Sequence, residues 1–277
     1  MTDPIIAVAQ FVPTADANSN IAQIASLAEQ AVVRGATLVV FPEYSSYFTP
    51  DLGPDWVAAA ESLDGEFATA LGALGKRLGI HVVAGMLERT TDTARFSNTL
   101  VAFDPTGSLV ATYRKLHLYD AFGSTESDWV VPGQITEPET FEWAGFTVAL
   151  QTCYDIRFPE VTRRLVDAGA DLVLVPAEWV RGPLKEHHWR TLLTARAIEN
   201  TIYVAAADHA PPIGVGTSLI IDPMGVAIAE LGEQSGTAVA GLSPDRISSV
   251  RRTNPALTLR RFGVVSLEDG VAERYPG

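Results

Sequence analysis

Three side chains of reactive type stand where apolar runs end. Glu43 follows Val39-Val40-Phe41-Pro42, Lys115 follows the run Leu109 to Tyr113, and Cys153 follows Val148-Ala149-Leu150-Gln151-Thr152. In α/β sheets, ligands bind in the crevice beyond the carboxyl ends of strands, so the three groups could converge on one site. Cys153 is the single cysteine, which rules out an intrachain disulfide. It precedes the charged turn Tyr154-Asp155-Ile156-Arg157-Phe158-Pro159-Glu160. A strand-to-helix turn there would expose the sulfur and aim the next backbone N–H groups at one point, the geometry of a nucleophile elbow with an oxyanion site. The same cysteine is equally compatible with an inert core position, because free cysteines are among the most buried residues.

A thiol with a pKa of about 8.5 needs activation at neutral pH. Two bases are on offer. His117 lies two residues past Lys115 and shares its face if the segment is extended. Glu43 can serve if desolvation raises its proton affinity. Lys115 would then offset that carboxylate and donate to a developing oxyanion. The plainer reading of Glu43 and Lys115 is a loop charge or a structural ion pair. His187 and His188 are adjacent and lack the i, i+4 spacing of helical metal ligands. No metal or other cofactor is called for.

The elements that must position these groups alternate between strand and helix. Ile5 to Phe11 reads as a buried strand, and 18–34 as a helix whose apolar residues recur near a 3.6 period, with Gly35 at its end. Thr37 to Phe41, a helix over about 64–78, a strand from Ile80 to Ala84, and strands Thr99 to Phe103 and Leu109 to Tyr113 follow. The second half runs in the same order: Phe146 to Leu150, a helix near 158–168, Asp171 to Val175, a helix over 185–199, then Ile202 to Ala206, Thr217 to Ile221 and Val226 to Ala229. RGATLVVFPE (34–43) matches AGADLVLVPAE (168–178), and the turns Asp104-Pro105-Thr106-Gly107 and Asp222-Pro223-Met224-Gly225 match each other. The halves, about 5–115 and 146–242, read as two copies of one β-α-β-α-β-β unit. Apolar strands want cover on both faces. Sheet on sheet with helices outside gives an α/β fold, a four-layer α-β-β-α sandwich with an internal pseudo-two-fold repeat. No linker separates the halves, so residues 1–277 read as one domain with a polar tail over 243–277, in which 244–252 is expected to be helical.

Composition narrows the partners. The chain has 277 residues, 47% apolar and 19% charged, with a net charge of −13. The charged share lies below the roughly 25% of ordinary domains, which argues for extensive burial. The acidic balance disfavours nucleic acid and anionic membranes. No apolar run reaches bilayer length, and the first residues lack the features of a secretory signal. One cysteine and no signal lead us to expect a cytoplasmic protein.

Phe41-Pro42-Glu43, Tyr113-Arg114-Lys115-Leu116-His117-Leu118 and Cys153-Tyr154-Asp155-Ile156-Arg157-Phe158-Pro159-Glu160 together resemble the nitrilase, or carbon–nitrogen hydrolase, superfamily. The motifs fall in the family's order and the resemblance covers nearly the whole chain. It implies a catalytic triad of Glu43, Lys115 and Cys153. It also implies a further glutamate six residues before a Pro-Gly, which Glu126 satisfies before Pro132-Gly133. The segment Trp189 to Tyr203 is similar to the amidase branch, near omega-amidase and deaminated glutathione amidase. The implied reaction is hydrolysis of a small linear amide through a thioester, with the backbone N–H of Tyr154 in the oxyanion site. Hydrolysis of a nitrile or an N-carbamoyl group, a thiol hydrolase using His117, and a non-catalytic ligand-binding member are the alternatives. Tyr44, Glu178 and Trp179 are expected to line the acyl pocket, and His117 and Arg157 are further candidates for substrate binding. The competing expectation is that Glu178 pairs with Arg181 or Arg157, and that Arg157 pairs with Asp155 and Glu160. The family also implies a homodimer or larger homo-oligomer.

Overall fold

A computed structural model describes residues 3–267. In the first half, β1 (Ile5–Gln10), α1 (Ala17–Val33), β2 (Ala36–Val40), α2 (Pro54–Ala59), α3 (Glu66–Leu78), β3 (His81–Arg89), β4 (Phe96–Phe103) and β5 (Leu109–Arg114) follow one another. The second half contains β6 (Thr140–Trp143), β7 (Phe146–Leu150), α4 (Pro159–Asp167), β8 (Leu172–Ala177), α5 (Lys185–Asn200), β9 (Tyr203–Asp208), β10 (Leu219–Ile221), β11 (Ala227–Glu230) and β12 (Gly236–Gly241), and α6 (Pro244–Thr253) closes it. Local chemistry explains the boundaries. Asp16 caps α1 by accepting from the Asn18 and Ser19 amides, Pro159 opens α4, and Gly79 ends α3 in the left-handed conformation at φ 68°.

The two sheets have the orders β12-β1-β2-β3-β4-β5 and β11-β10-β9-β8-β7-β6. In each, two parallel pairings (β1-β2-β3 and β7-β8-β9) are flanked by antiparallel strands. The repeat is therefore real at the level of strand order. Its two hairpins share their chemistry as well. Asp104 Oδ1 accepts from the amides of Thr106 and Ser108, and Asp222 Oδ1 accepts from those of Met224 and Val226. Gly107 and Gly225 supply the positive φ that each turn needs.

Four layers result. Between the sheets, Leu38, Val40, Val83 and Leu100 pack with Val148, Leu150, Leu172 and Leu174. On the outer face of the first sheet, Ile24, Ala28, Phe67 and Leu71 of α1 and α3 cover Val39 and Val82. On the outer face of the second, Leu165, Trp189 and Leu193 of α4 and α5 cover Val173 and Val204. The sandwich read from the sequence is the one observed. The halves are also laced together. β12 leaves the second half to pair antiparallel with β1, and Gln10 Oε1 accepts from both the amide and the hydroxyl of Ser218. The expected helix at 244–252 is present as α6; residues 268–277 of the expected tail lie outside the described residues.

Candidate active site

The loop after β2 carries Glu43, and it is pressed against β3. Phe41 N donates to Val83 O and Gly85 N donates to Pro42 O. A Cβ on Gly85 would stand 2.7 Å from both Glu43 Cα and Tyr44 N, so only glycine permits this approach. Glu43 is 1% exposed and fully engaged. Its Oε1 accepts from Asn98 Nδ2 at 2.6 Å and from Lys115 Nζ at 3.0 Å, and its Oε2 accepts from the Glu178 amide at 2.6 Å. His209 Nε2 donates to the Glu43 carbonyl at 2.7 Å. Burial holds the His209 imidazole down at a pKa of about 4, which keeps it neutral, and the carbonyl partner fixes its proton on Nε2 and leaves Nδ1 unprotonated.

Lys115 follows β5, and its amide donates to Asn98 O. The next crossing is equally tight: Gly133 N donates to Lys115 O, and a Cβ on Gly133 would lie 2.3 Å from Arg114 O. The ammonium is 2% exposed and bridges Glu43 and Glu126, reaching Glu126 Oε2 at 2.9 Å. Burial alone would lower its proton affinity. The charges of Glu126 and Glu43 outweigh that and hold it well above the ordinary lysine range, so it stays cationic. Glu126 sits on a short 3₁₀ turn, Glu126–Asp128, and is fixed by Tyr44 Oη at 2.5 Å and by the Tyr119 amide.

Cys153 begins a 3₁₀ turn directly after β7 and the two residues that follow it. Its φ is 43°, a left-handed conformation that is rare outside glycine and that clusters at functional sites. Its Sγ lies 3.5 Å from Glu178 O. Burial, and then the charge of Glu43, push the thiol well above its usual range, with Lys115 opposing. The sulfur is therefore a protonated thiol at rest and needs a base to become a nucleophile. Asp155 braces the turn: its carboxylate accepts from Tyr113 Oη, the Thr152 amide and the His117 amide.

Glu43, Tyr44, Lys115, Tyr119, Glu126, Cys153, Tyr154, Glu178, Trp179 and Lys185 line one cavity of about 300 Å³. The structure thus brings together the three strand-end groups, Glu126, Tyr154 and the expected acyl-pocket residues Tyr44, Glu178 and Trp179. His117 and Arg157 are not in that wall. β5 ends at Arg114, so the alternation of an extended strand no longer holds at residue 117. The His117 ring instead stacks on Phe158 with centroids 3.7 Å apart, and its Nδ1 meets Asp155 Oδ1 at 2.8 Å. Arg157 also departs from the expected pairing with Asp155 and Glu160. Its guanidinium lies over the Trp179 ring, 4.8 Å from the centroid. Glu178 does not pair with Arg181, which binds Glu233. Burial and the Glu43 charge hold the Glu178 carboxyl well above the usual carboxylate range.

Sequence reasoning missed Asn98, Asp155, Lys185, Asp208 and His209 as positioning groups. Asp208 is fully buried and accepts from the Trp179 and Gly216 amides, which fixes the loop carrying Glu178. Asn98 had a weak signal, since it stands between Ser97 and Thr99 in the polar first half of β4. Among the described residues, no group of three or more His, Cys, Asp or Glu is arranged to hold a metal ion, and no helix is long and apolar enough to cross a membrane.

Comparison with known proteins extends this geometry. Residues 5–252 match the family model for carbon–nitrogen hydrolase. A deaminated glutathione amidase of Escherichia coli O157:H7 is 41% identical over 265 residues, covering 93% of this chain and 97% of the relative. The NitFhit protein of C. elegans superposes with a TM-score of 0.85 at 28% identity. That match covers 94% of this chain, which spans 66% of that longer one. A glutamate-to-glutamine mutant of the amidase from Nesterenkonia sp. AN1, carrying the acetamide moiety of fluoroacetamide on its active-site cysteine, superposes with a TM-score of 0.77 at 28% identity, covering 94% and 97% of the two chains. With a family model matched over most of its length and a relative this similar end to end, the chain belongs to the carbon–nitrogen hydrolase family.

Proposed function

We propose that the protein is an amidase that converts a small linear amide to a carboxylate and ammonia through a thioester on Cys153. The thiol is protonated at rest, so attack requires a base, and Glu43 takes the proton as Sγ bonds to the carbonyl carbon. The developing oxyanion is held by the Lys115 ammonium and the Tyr154 backbone N–H. Glu43 returns the proton to the departing ammonia and later takes one from the water that cleaves the thioester. Glu126 fixes Lys115 through a second carboxylate contact beside that of Glu43, and Tyr44, Glu178 and Trp179 shape the space for the acyl group. The cycle uses no cofactor. The observation that carries this reading is the buried Glu43–Lys115–Glu126 cluster on the wall of the same cavity as a left-handed Cys153. The covalent adduct on the active-site cysteine of a glutamate-to-glutamine mutant of the Nesterenkonia amidase supports the nucleophilic role given to Cys153.

A panel of linear amides scored by ammonia release, with hydroxylamine added, tests the route. A trapped thioester gives the hydroxamate, and Cys153→Ala abolishes both products. Ammonia released by the Cys153→Ala protein would overturn the proposal. A cytoplasmic location and self-association into a homodimer or larger assembly belong to the same reading. Ile198, Met224, Val226 and Ile228 supply exposed apolar surface for self-association, which light scattering would measure.

A further inference from the structure

Glu178 directly follows β8, and its backbone is committed to the catalytic groups. Its amide donates to Glu43 Oε2 and its carbonyl accepts from Cys153 Sγ. Its carboxyl is not committed to anything. Among the described residues it makes no hydrogen bond and has no cation within ion-pairing distance. The nearby cations are held elsewhere: Lys185 donates to Tyr119 Oη at 2.7 Å, and the Arg157 guanidinium lies over the Trp179 ring. Yet the residue lines the cavity, and its charge reaches Tyr44, Tyr119, Cys153 and Asp208, each of which it makes harder to ionise. Burial, and then the charge of Glu43, keep the Glu178 carboxyl protonated well above the usual range. Glu126 adds to that effect, and Lys115 and Lys185 oppose it. On the same wall one ammonium, that of Lys115, serves two carboxylates. Buried polar groups are normally hydrogen-bonded, so an unpartnered carboxyl in the cavity points to a ligand that completes it.

We infer that Glu178 is a specificity-determining residue of the cavity, and that the acyl group of the amide carries an amine whose ammonium pairs with the Glu178 carboxylate. The inference rests on the amidase reading above. A cation fits better than a neutral donor, because it offsets the opposition of Glu43 and Glu126 that a hydroxyl would leave in place. The net charge of −13 also draws cations toward the chain. As the ammonium arrives, the Glu178 O–H bond breaks and its proton passes to solvent. The carboxylate left behind accepts from the ammonium N–H groups. A substrate ending in a methyl group leaves the acid unpaired.

Matched amides test this. δ-Aminovaleramide, δ-hydroxyvaleramide and hexanamide have the same length and end in an ammonium, a hydroxyl and a methyl group. γ-Aminobutyramide and pentanamide repeat the ammonium–methyl pair with a shorter chain. Each is assayed with wild type, Glu178→Gln and Glu178→Ala. Binding to Cys153→Ala protein, with and without Glu178→Gln, is measured by calorimetry in buffers of different ionisation enthalpy, which reports proton release. We expect the kcat/KM ratio of ammonium over methyl to fall about tenfold or more in both Glu178 variants, at one chain length or both, through KM rather than kcat. The ammonium amides, and not the methyl ones, should release a proton on binding, and Glu178→Gln should abolish that release. Ratios unchanged in the Glu178 variants would overturn the inference, as would a wild-type preference for the hydroxyl over the ammonium. So would ammonium amides that fail to bind Cys153→Ala protein or bind it without releasing a proton. Proton-releasing binding that depends on Glu178, with no hydrolysis of any probe by wild type, would instead overturn the amidase reading and leave the cation site standing.

Discussion

At Glu43 the carboxylate receives donors from Asn98, Lys115 and the Glu178 amide, which fixes its orientation before any substrate arrives. Glu43→Gln would turn an amide donor toward one of these donors and remove the proton acceptor. General-base loss typically costs about 100- to 10,000-fold, and kcat/KM should fall within that range. Under the proposed mechanism Lys115→Ala removes an oxyanion donor and should cost about 100-fold or more in kcat, whereas His117→Ala, whose ring stacks on Phe158 outside the cavity, should stay within about tenfold of wild type. The opposite ranking, seen in parallel steady-state assays, would make His117 the base. Glu43, Lys115 and Cys153 were legible as candidates because each ends an apolar run, but that placement equally fits a loop charge or an inert core cysteine, and the family resemblance is what singled them out together. Lys185 was not legible: a lysine opening a polar helix looks like a solvated one, and only the surrounding rings, contributed from distant segments, bury it. The Arg157 expectation failed because sequence neighbours with opposite charge were assumed to pair, while the turn sends the guanidinium to Trp179.

At the scale of elements, the site depends on how closely β3 approaches the loop after β2. Gly85→Ala would push a Cβ against Glu43 Cα and Tyr44 N, and both neighbours are backbone that cannot rotate aside. We expect the protein to remain folded by circular dichroism while kcat falls at least tenfold, with Gly79→Ala as a contrast that perturbs α3 but not the site. Strong apolar periods made most strands and the helices α1, α3, α4 and α5 readable to within a few residues. The strand Thr140–Trp143 escaped notice because its alternation of polar and aromatic residues lasts only four residues, and Gly236–Gly241 because its residues are mostly glycine, alanine and threonine. Both owe their existence to pairing with β7 and β1, a tertiary effect that overrides weak local preference. The paired DPxG hairpins carried more information than any single strand, since each is a turn whose aspartate has a defined job.

Across the whole molecule, the two halves meet at the site. His209 follows β9 of the second sheet and bonds the Glu43 carbonyl of the first half, so the neutral imidazole ties the placement of Glu43 to stability. Its folded pKa of about 4 lies below the ordinary 6.5. The unfolded state therefore binds the extra proton first, and stability contributed by this group is complete above pH 6.5 and lost as pH falls toward 4. The raised carboxyls of Asp208 and Glu178 act in the opposite sense, which makes a difference measurement necessary. Urea midpoints of wild type and His209→Gln should converge as pH is lowered from 6.5 to 4, whereas a constant gap would show that the imidazole stays uncoupled from folding. The sandwich itself was legible from the repeat, but the cross-lacing through β12, Gln10 and His209 was not, because no local pattern says which sheet a strand joins. The proposed reaction requires the sulfur, the carboxylate and the ammonium to act on one substrate. Intact-protein mass spectrometry after rapid quenching of a slowly turned-over amide tests that most directly. We predict an added acyl mass that maps to Cys153 and is absent in Cys153→Ala; sustained turnover with no mass on Cys153 at any time point would contradict the account.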